Sequence, residues 1–263
     1  VTGELVAVLS ATKTALSERY GADDILTYVI SIVNSGPAPY TGLTMTDDLG
    51  AYTYGTGTLT PLTYVDGSLR YFVNGVLQAT PTPTADAPLT VPGIAVPAGG
   101  NALMIYETRV NSFAPLDTES TVTNTATLSG AGLTTPVQAA STVNARAAAY
   151  LTIGKAVSPA TVAENGTLTY TFTIQNYGNT AAAETDNVTV SDTFSPILKA
   201  ISVTYNGVAW TEGTQYTYNA ATGAFATTAG QITVPAASLT RDAATGAVVV
   251  TPGISTLTVT GTV

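Results

Sequence analysis

The sequence predicts an all-β protein, and three observations carry the prediction. The chain repeats itself at an offset of 142 residues, its apolar residues alternate with period two, and no window sustains a helical period. Fifty of the 263 residues are Thr and only 10% are charged, a composition suited to half-buried pleated surfaces. Gly, Pro and Asn-Gly punctuation recurs at the spacing of short strands, so the expected architecture is two tandem immunoglobulin-like β-sandwich domains. The second domain is expected to lack its closing strand or strands.

The elements follow in order. The first strand, "AVLSATKTALS" at 7 to 17, lies over "AYLTIGKAVSP" at 149 to 159, which aligns Lys13 with Lys155. Next, "ILTYVISIVNSG" at 25 to 36 lies over "TLTYTFTIQNYG" at 167 to 178, aligning Tyr28 with Tyr170 and Asn34 with Asn176. After a three-residue insertion, "LTMTDDLG" at 43 to 50 lies over "VTVSDTFS" at 188 to 195, placing Asp47 over Asp192. "RYFVNGVLQ" at 70 to 78 resembles "VTYNGVAW" at 203 to 210, each with an Asn-Gly that favours a tight hairpin. "ATPTPTADAP" is a Pro-rich connection unsuited to a sheet centre, and "YNAATGAF" and "RDAATGAVVV" are short Gly-bearing loops. Copy one continues past "NALMIYETRVN" into "STVTNTATLSG" and "PVQAASTVN", whereas copy two reaches "ISTLTVTGTV", level with "NALMIYETRV". The expected domains are therefore 1–145 and 146–263. Residues 1–8 form a candidate donor segment, because Val6 and Val8, or Leu5 and Ala7, offer a face to a neighbour's groove.

Charge and composition exclude several function classes. A net charge of −9, with eight basic residues scattered along the chain, argues against nucleic acid and against an anionic membrane surface. No apolar run reaches the roughly 20 residues of a spanning helix. The first residues lack the basic and apolar regions of a signal peptide, so an exported chain would already have lost its signal. With no Cys and no His, there is no disulfide, thiolate or imidazole chemistry. The expected location is extracellular, at a cell surface.

Strand alternation points unusual side chains inward. Leu9, Ala11, Lys13 and Ala15 share a face; so do Leu43, Met45, Asp47 and Leu49, and likewise Val122, Asn124, Ala126 and Leu128. In copy two, Leu151, Ile153, Lys155 and Val157 share a face, and Val188, Val190, Asp192 and Phe194 another. A lysine, an acid and, in copy one, an Asn thus converge on the sandwich interior. Burial favours the neutral forms of an amine and an acid, so the amine could attack the Asn side-chain carbonyl while the acid polarises it. Ammonia would leave and an isopeptide bond would join two strands, doing the work of a disulfide. Three readings stay open: this crosslink, a non-covalent buried pair, and lysines at a rim with their heads in water. Glu107 is a rival acid, because Leu103, Ile105 and Glu107 also share a face. Asn34 and Asn176 are rival amides, though strand-end hydrogen bonding explains them more simply.

The ordered run of "SATKTALS" or "TIGKAVSP", "LTYVISIVNSG" or "LTYTFTIQNYG", "TMTDDL" or "TVSDTF", and "VTNTATLSG" resembles the conserved tandem repeat of bacterial and archaeal cell-surface proteins known as domain of unknown function eleven. The resemblance implies immunoglobulin-like or prealbumin-like modules in exported arrays that form stalks, adhesins, coats or filaments. Related surface-pilin sandwiches carry acid-assisted Lys–Asn isopeptides, which fits Lys13, Asp47 and Asn124. Copy two lacks the Asn-Thr-Ala-Thr run.

Two functions from different classes follow. The first is a structural module that self-associates into a fibre or array, with a neighbouring subunit donating a strand to the second domain. The alternative is an adhesin that binds a surface glycan or host protein through an exposed aromatic or acidic patch, with Trp210 and the tyrosines at 52, 54 and 64 as candidates. An enzyme is not expected, since the acid pairs Asp23-Asp24 and Asp47-Asp48 alternate across a strand or lie in turns. No cofactor or metal is implied. Turn acids such as Asp186 and Asp242 match no calcium motif, and the triplets "NGT" and "NVT" are weak glycan acceptors.

Overall fold

The computed structural model describes residues 8–263, so the candidate donor segment, apart from Val8, lies outside the described residues. The chain is nearly all β. Its strands in the first half are β1 (Leu9–Ala15), β2 (Arg19–Tyr20), β3 (Ile25–Asn34), β4 (Tyr40–Asp47), β5 (Tyr52–Tyr54), β6 (Gly57–Leu59), β7 (Leu62–Tyr64), β8 (Arg70–Val73), β9 (Val76–Leu77), β10 (Ala85–Asp86), β11 (Leu89–Val96), β12 (Asn101–Val110), β13 (Thr121–Ser129) and β14 (Val137–Ala145). The second half adds β15 (Leu151–Ser158), β16 (Thr167–Asn176), β17 (Ser191–Thr193), β18 (Lys199–Tyr205), β19 (Val208–Trp210), β20 (Tyr216–Asn219), β21 (Ala224–Thr227), β22 (Ser238–Arg241), β23 (Val248–Thr251) and β24 (Gly253–Thr262). Two compact units result: the first runs to Arg146 and takes in Arg241–Val248, and the second comprises Ala147–Thr240 and Val249–Val263.

The first unit is a sandwich of two six-stranded sheets. One has the order β1-β3-β12-β8-β9 with β7 also on β12, and the other β10-β11-β4-β13-β14-β2. Alternation sets the layers. In β3, Leu26, Tyr28, Ile30 and Ile32 are buried while the residues between them face outward, and β12 buries Ala102, Met104, Tyr106 and Thr108 in the same way. The opposing sheet supplies Leu43, Met45, Val91, Ile94, Val122 and Leu128 to one continuous core. Each such aliphatic side chain, once fully buried, contributes about 1.5–3 kcal/mol. The β8–β9 turn, Asn74-Gly75, has positive φ at both residues, as does Asn206-Gly207 between β18 and β19. This is the geometry that Asn-Gly selects for a two-residue hairpin.

The second unit keeps one sheet of the repeat and part of the other. Its five-stranded sheet, β15-β16-β24-β18-β19, follows the β1-β3-β12-β8-β9 order strand for strand, and its opposing sheet is only β17-β21-β20. The registers agree as well: Lys13 lies opposite Ile30 and Lys155 opposite Phe172, each shifted by the repeat offset. The difference lies beside the acid-bearing strand. In the first unit β4 is flanked by β11 and β13, with Ala126 opposite Asp47. In the second, β17 pairs with β21 alone among the described residues. The chain beyond β21 continues along the same edge, where Ala182 bridges Val234, so this run takes the place of β11. Among the described residues, no strand pairs along the edge that β13 occupies in the first unit.

Candidate functional site: a buried lysine, carboxylate and carboxamide

Lys13 points inward from β1 by simple alternation. Its Nζ lies 2.5 Å from Asp47 Oδ2 on β4, and both side chains are 0% exposed. Asp47 Oδ1 accepts the Leu49 N–H at 3.0 Å in a turn where Leu49 takes a positive φ, which fixes the carboxylate at the end of its strand. Oδ2 also accepts a short hydrogen bond from the Tyr106 hydroxyl on β12. Lys13 Nζ sits 4.9 Å from the centroid of the Tyr28 ring and 5.9 Å from that of Tyr106, and these rings stack 5.8 Å apart. The ammonium is therefore held by one carboxylate and two π faces instead of water.

Burial governs protonation here. It lowers the Lys13 pKa, a shift that the Asp47 charge and hydrogen bond oppose without cancelling. Burial also pushes the Tyr106 hydroxyl well above its ordinary value, with the Asp47 charge adding to the effect, so Tyr106 stays a neutral donor to Asp47. Tyr28 is raised by burial in the same way.

Asn124 completes the group. It lies on β13 two residues from Ala126, which faces Asp47, and on the same inward face. Directly across from it on β14 is Ser141, whose Oγ accepts the Ala15 N–H at 3.0 Å and so ties β14 to Lys13's own strand. Asn124 is near enough to the Tyr28 and Tyr106 hydroxyls to favour their ionised forms. Yet the side chain is 0% exposed, and neither Nδ2 nor Oδ1 makes a hydrogen bond of ordinary geometry; the Tyr28 hydroxyl lacks one too. A carboxamide can make four such bonds, and leaving buried polar atoms unpaired costs about 1–3 kcal/mol.

Three sequence candidates take other places. Glu107 points to the opposite face of β12, because the buried phase of that strand is Ala102-Met104-Tyr106; its N–H instead donates to Ser68 Oγ. Asn34 is a strand-end clamp: its Nδ2 donates to the Ala38 and Pro97 carbonyls at 2.8 and 3.0 Å, and its Oδ1 accepts the Gly36 N–H. Asn176 does the same with the Thr180 and Pro235 carbonyls and the Gly178 N–H. Both amides are fully engaged and are no rivals to Asn124. Alternation alone did not single out Tyr106, because both phases of "NALMIYETRV" carry apolar residues; the register Tyr28↔Tyr106 in the β3–β12 ladder is what aims it inward.

The second unit repeats half of the site. Lys155 and Asp192 form an ion pair, and Lys155 Nζ lies 4.8 Å from the Tyr170 ring centroid, close to the Lys13–Tyr28 spacing. Phe194 and Phe172 rings stand 5.7 and 5.8 Å away. Two features differ. The ion pair lacks hydrogen-bond geometry, so Asp192 Oδ2 is buried without a hydrogen bond, and Val259 occupies the place of Tyr106 opposite the aligned tyrosine. Moreover, the Lys155 and Asp192 side chains are 42% and 18% exposed. The face that sequence alternation turned toward a core is open, with Ile153 and Val157 56% and 44% exposed.

No protein-family model and no curated protein matches the chain. Among solved structures, the pilus backbone RrgB of Streptococcus pneumoniae aligns with 93% of this chain at 10% identity and a TM-score of 0.38; the chain spans about half of that structure, 55%. The collagen-binding subdomain of the Enterococcus faecalis surface protein ACE aligns with 51% of this chain and 95% of its own, at 9% identity and a TM-score of 0.34. A family 123 glycoside hydrolase from Clostridium perfringens aligns with 52% of this chain and 27% of its own, at 8% identity and a TM-score of 0.34. Likenesses this distant, spread over pilin, adhesin and hydrolase, assign no function; the chemistry rests on this chain's own residues. No helix among the described residues is long and apolar enough to cross a membrane.

Proposed function

We propose that this chain is a structural module of an extracellular surface fibre or array, and that its first sandwich is locked by an isopeptide bond between Lys13 and Asn124. One observation carries the reading: a fully buried lysine–carboxylate pair beside a fully buried carboxamide that makes no hydrogen bond of ordinary geometry and has only the Tyr28 and Tyr106 hydroxyls near it. As a purely non-covalent arrangement this is expensive. As a reacting group it is coherent. The Lys13 ammonium passes a proton to Asp47, and the neutral amine attacks the Asn124 Cγ carbonyl, polarised by the protonated acid. The C–N bond to the amide nitrogen then breaks, that nitrogen takes up the proton returned through Asp47, and ammonia departs. The products are one secondary amide and one ammonia. Tyr106 orients the Asp47 carboxyl through its short hydrogen bond.

Such a bond closes a loop of roughly 110 residues, which in the chain-entropy account of crosslinks is worth about 4–5 kcal/mol. A chain with no cysteine would gain from it what disulfides supply elsewhere, which suits a module that bears load. The edge of β17 that no strand pairs among the described residues is compatible with further strand addition in an array. The role is non-enzymatic beyond this self-reaction. An adhesin is less favoured, because Tyr64 is buried and Trp210 stacks on Tyr205 at 4.9 Å, which leaves Tyr54 as the exposed member of the candidate aromatic set.

Intact mass under denaturing conditions tests the bond. The purified chain is expected to weigh one ammonia less than its sequence, and Lys13→Ala and Asn124→Ala variants to show their full sequence masses. A wild-type chain at full mass would contradict the reading.

A further inference from the structure

We propose that the Tyr28 hydroxyl is the oxyanion donor of the crosslinking reaction: it hydrogen-bonds Asn124 Oδ1 while the Lys13 amine adds to Cγ, and it holds the carbonyl of the amide that results. The inference rests on the bond assigned to the first unit and names a group that bond formation needs beyond the lysine, the acid and the carboxamide.

The need comes from following the protons. Addition of the neutral Lys13 amine to Cγ pushes the carbonyl π pair onto Oδ1, and the tetrahedral adduct carries its negative charge there. Collapse then breaks the Cγ–Nδ2 bond. For ammonia to leave, Asp47 must hand its one proton to Nδ2 and take another from the attacking nitrogen, so at that step the acid cannot also neutralise Oδ1. In an interior closed to water, an oxyanion without a donor is costly. A second, fixed donor is required.

Two hydroxyls lie near the carboxamide, those of Tyr28 and Tyr106. Tyr106 is committed, since it donates to Asp47 Oδ2. The Tyr28 hydroxyl is buried and makes no hydrogen bond of ordinary geometry, and the same holds for both polar atoms of the Asn124 side chain. The strand registers put these groups at one level of the sandwich. Tyr28 lies opposite Ala15 on β1, the Ala15 N–H donates to Ser141 Oγ on β14, and Ser141 lies opposite Asn124 on β13. Lys13 is two residues from Ala15 on the same face, with its Nζ 4.9 Å from the Tyr28 ring centroid. Burial raises the Tyr28 pKa, so the group keeps its proton through the reaction. Its counterpart in the second unit, Tyr170, donates instead to the Ser195 carbonyl at 3.4 Å. The packing of the repeat therefore does not require an unpaired hydroxyl at this position.

The test follows bond formation in time. The full 263-residue chain is made by cell-free translation, samples are quenched in denaturant, and intact mass gives the fraction lighter by one ammonia. Tyr28→Phe keeps the ring and loses only the hydroxyl; it is expected to form the bond about 100- to 1000-fold more slowly than wild type, the usual effect of removing one oxyanion donor. A second comparison separates chemistry from structure. In an Asn124→Ala background, which forms no bond, adding Tyr28→Phe is expected to leave the urea midpoint unchanged or to raise it, because the hydroxyl removed has no partner there. A Tyr28→Phe chain that crosslinks at the wild-type rate overturns the proposal and leaves the Lys13–Asn124 bond standing. A lowered midpoint, or failure to fold, makes the hydroxyl structural and overturns the proposal as well. A wild-type chain that never loses ammonia overturns both readings.

Discussion

At the scale of single residues, the protonation of the buried cluster makes two opposite predictions for pH. Lys13 has its pKa lowered by burial. While its amine is free, the unfolded chain binds more protons than the folded one between the lowered value and the ordinary 10.5, so stability rises with pH across that window. An Asn124→Ala variant, in which the amine stays free, is expected to show this rise in urea midpoint as pH climbs toward 10.5. The wild-type chain, with that nitrogen held in an amide, is expected to show none. Tyr20, Tyr28 and Tyr106 have the other sign. Their hydroxyls are raised by burial above the ordinary value of 10.0, so their contribution is intact below it and is lost as pH climbs beyond. Alkaline unfolding is expected to begin above pH 10 and to coincide with the rise of tyrosinate absorbance. Ionisation of these tyrosines in the folded state, ahead of unfolding, would contradict the burial argument.

At the scale of elements, glycines separate strain from steric exclusion. Gly75, in the β8–β9 turn, has φ +78° and open space where a Cβ would lie. Gly75→Ala should therefore cost only the left-handed backbone penalty, about 1–2 kcal/mol, read as a small drop in urea midpoint. Gly253 opens β24, and a Cβ there would meet the Pro235 carbonyl oxygen at 2.0 Å. Gly253→Ala must displace backbone in the central β16–β24 ladder, and a loss of more than about 3 kcal/mol or failure to fold is expected. Equal effects of the two substitutions would refute this contrast. The elements were also where the sequence was most legible. Repeat alignment and period-two alternation turned Lys13, Asp47 and Asn124 toward the sandwich interior from separate strands, because those strands carry apolar residues on one face only. They misjudged "NALMIYETRV", where both faces are apolar and only pairing with β3 decides that Tyr106, not Glu107, looks inward. For Lys155, alternation found the face but not its exposure, since that depends on which strands pair along a neighbouring edge, and among the described residues none lies beside β17 where β13 lies beside β4.

At the scale of the whole molecule, the two units divide one design. The first closes its sandwich with β13 and β14 around a reacting trio; the second presents the lysine and the acid on an open face. The closed unit should be the more heat-resistant. Calorimetry is expected to resolve two transitions, and Asn124→Ala to lower the upper one by about 8–20 °C, given about 4–5 kcal/mol for the bond and 2–4 °C per kcal/mol for a domain of this size. The lower transition should not move. A variant in which the lower transition shifts instead would place the crosslink outside the first unit. The most direct measurement is fragment sequencing of the protease-digested wild-type chain by tandem mass spectrometry. The account predicts one branched peptide in which the Lys13 Nζ is joined to the Asn124 side chain with loss of ammonia. Separate, linear peptides carrying unmodified Lys13 and Asn124 would contradict it.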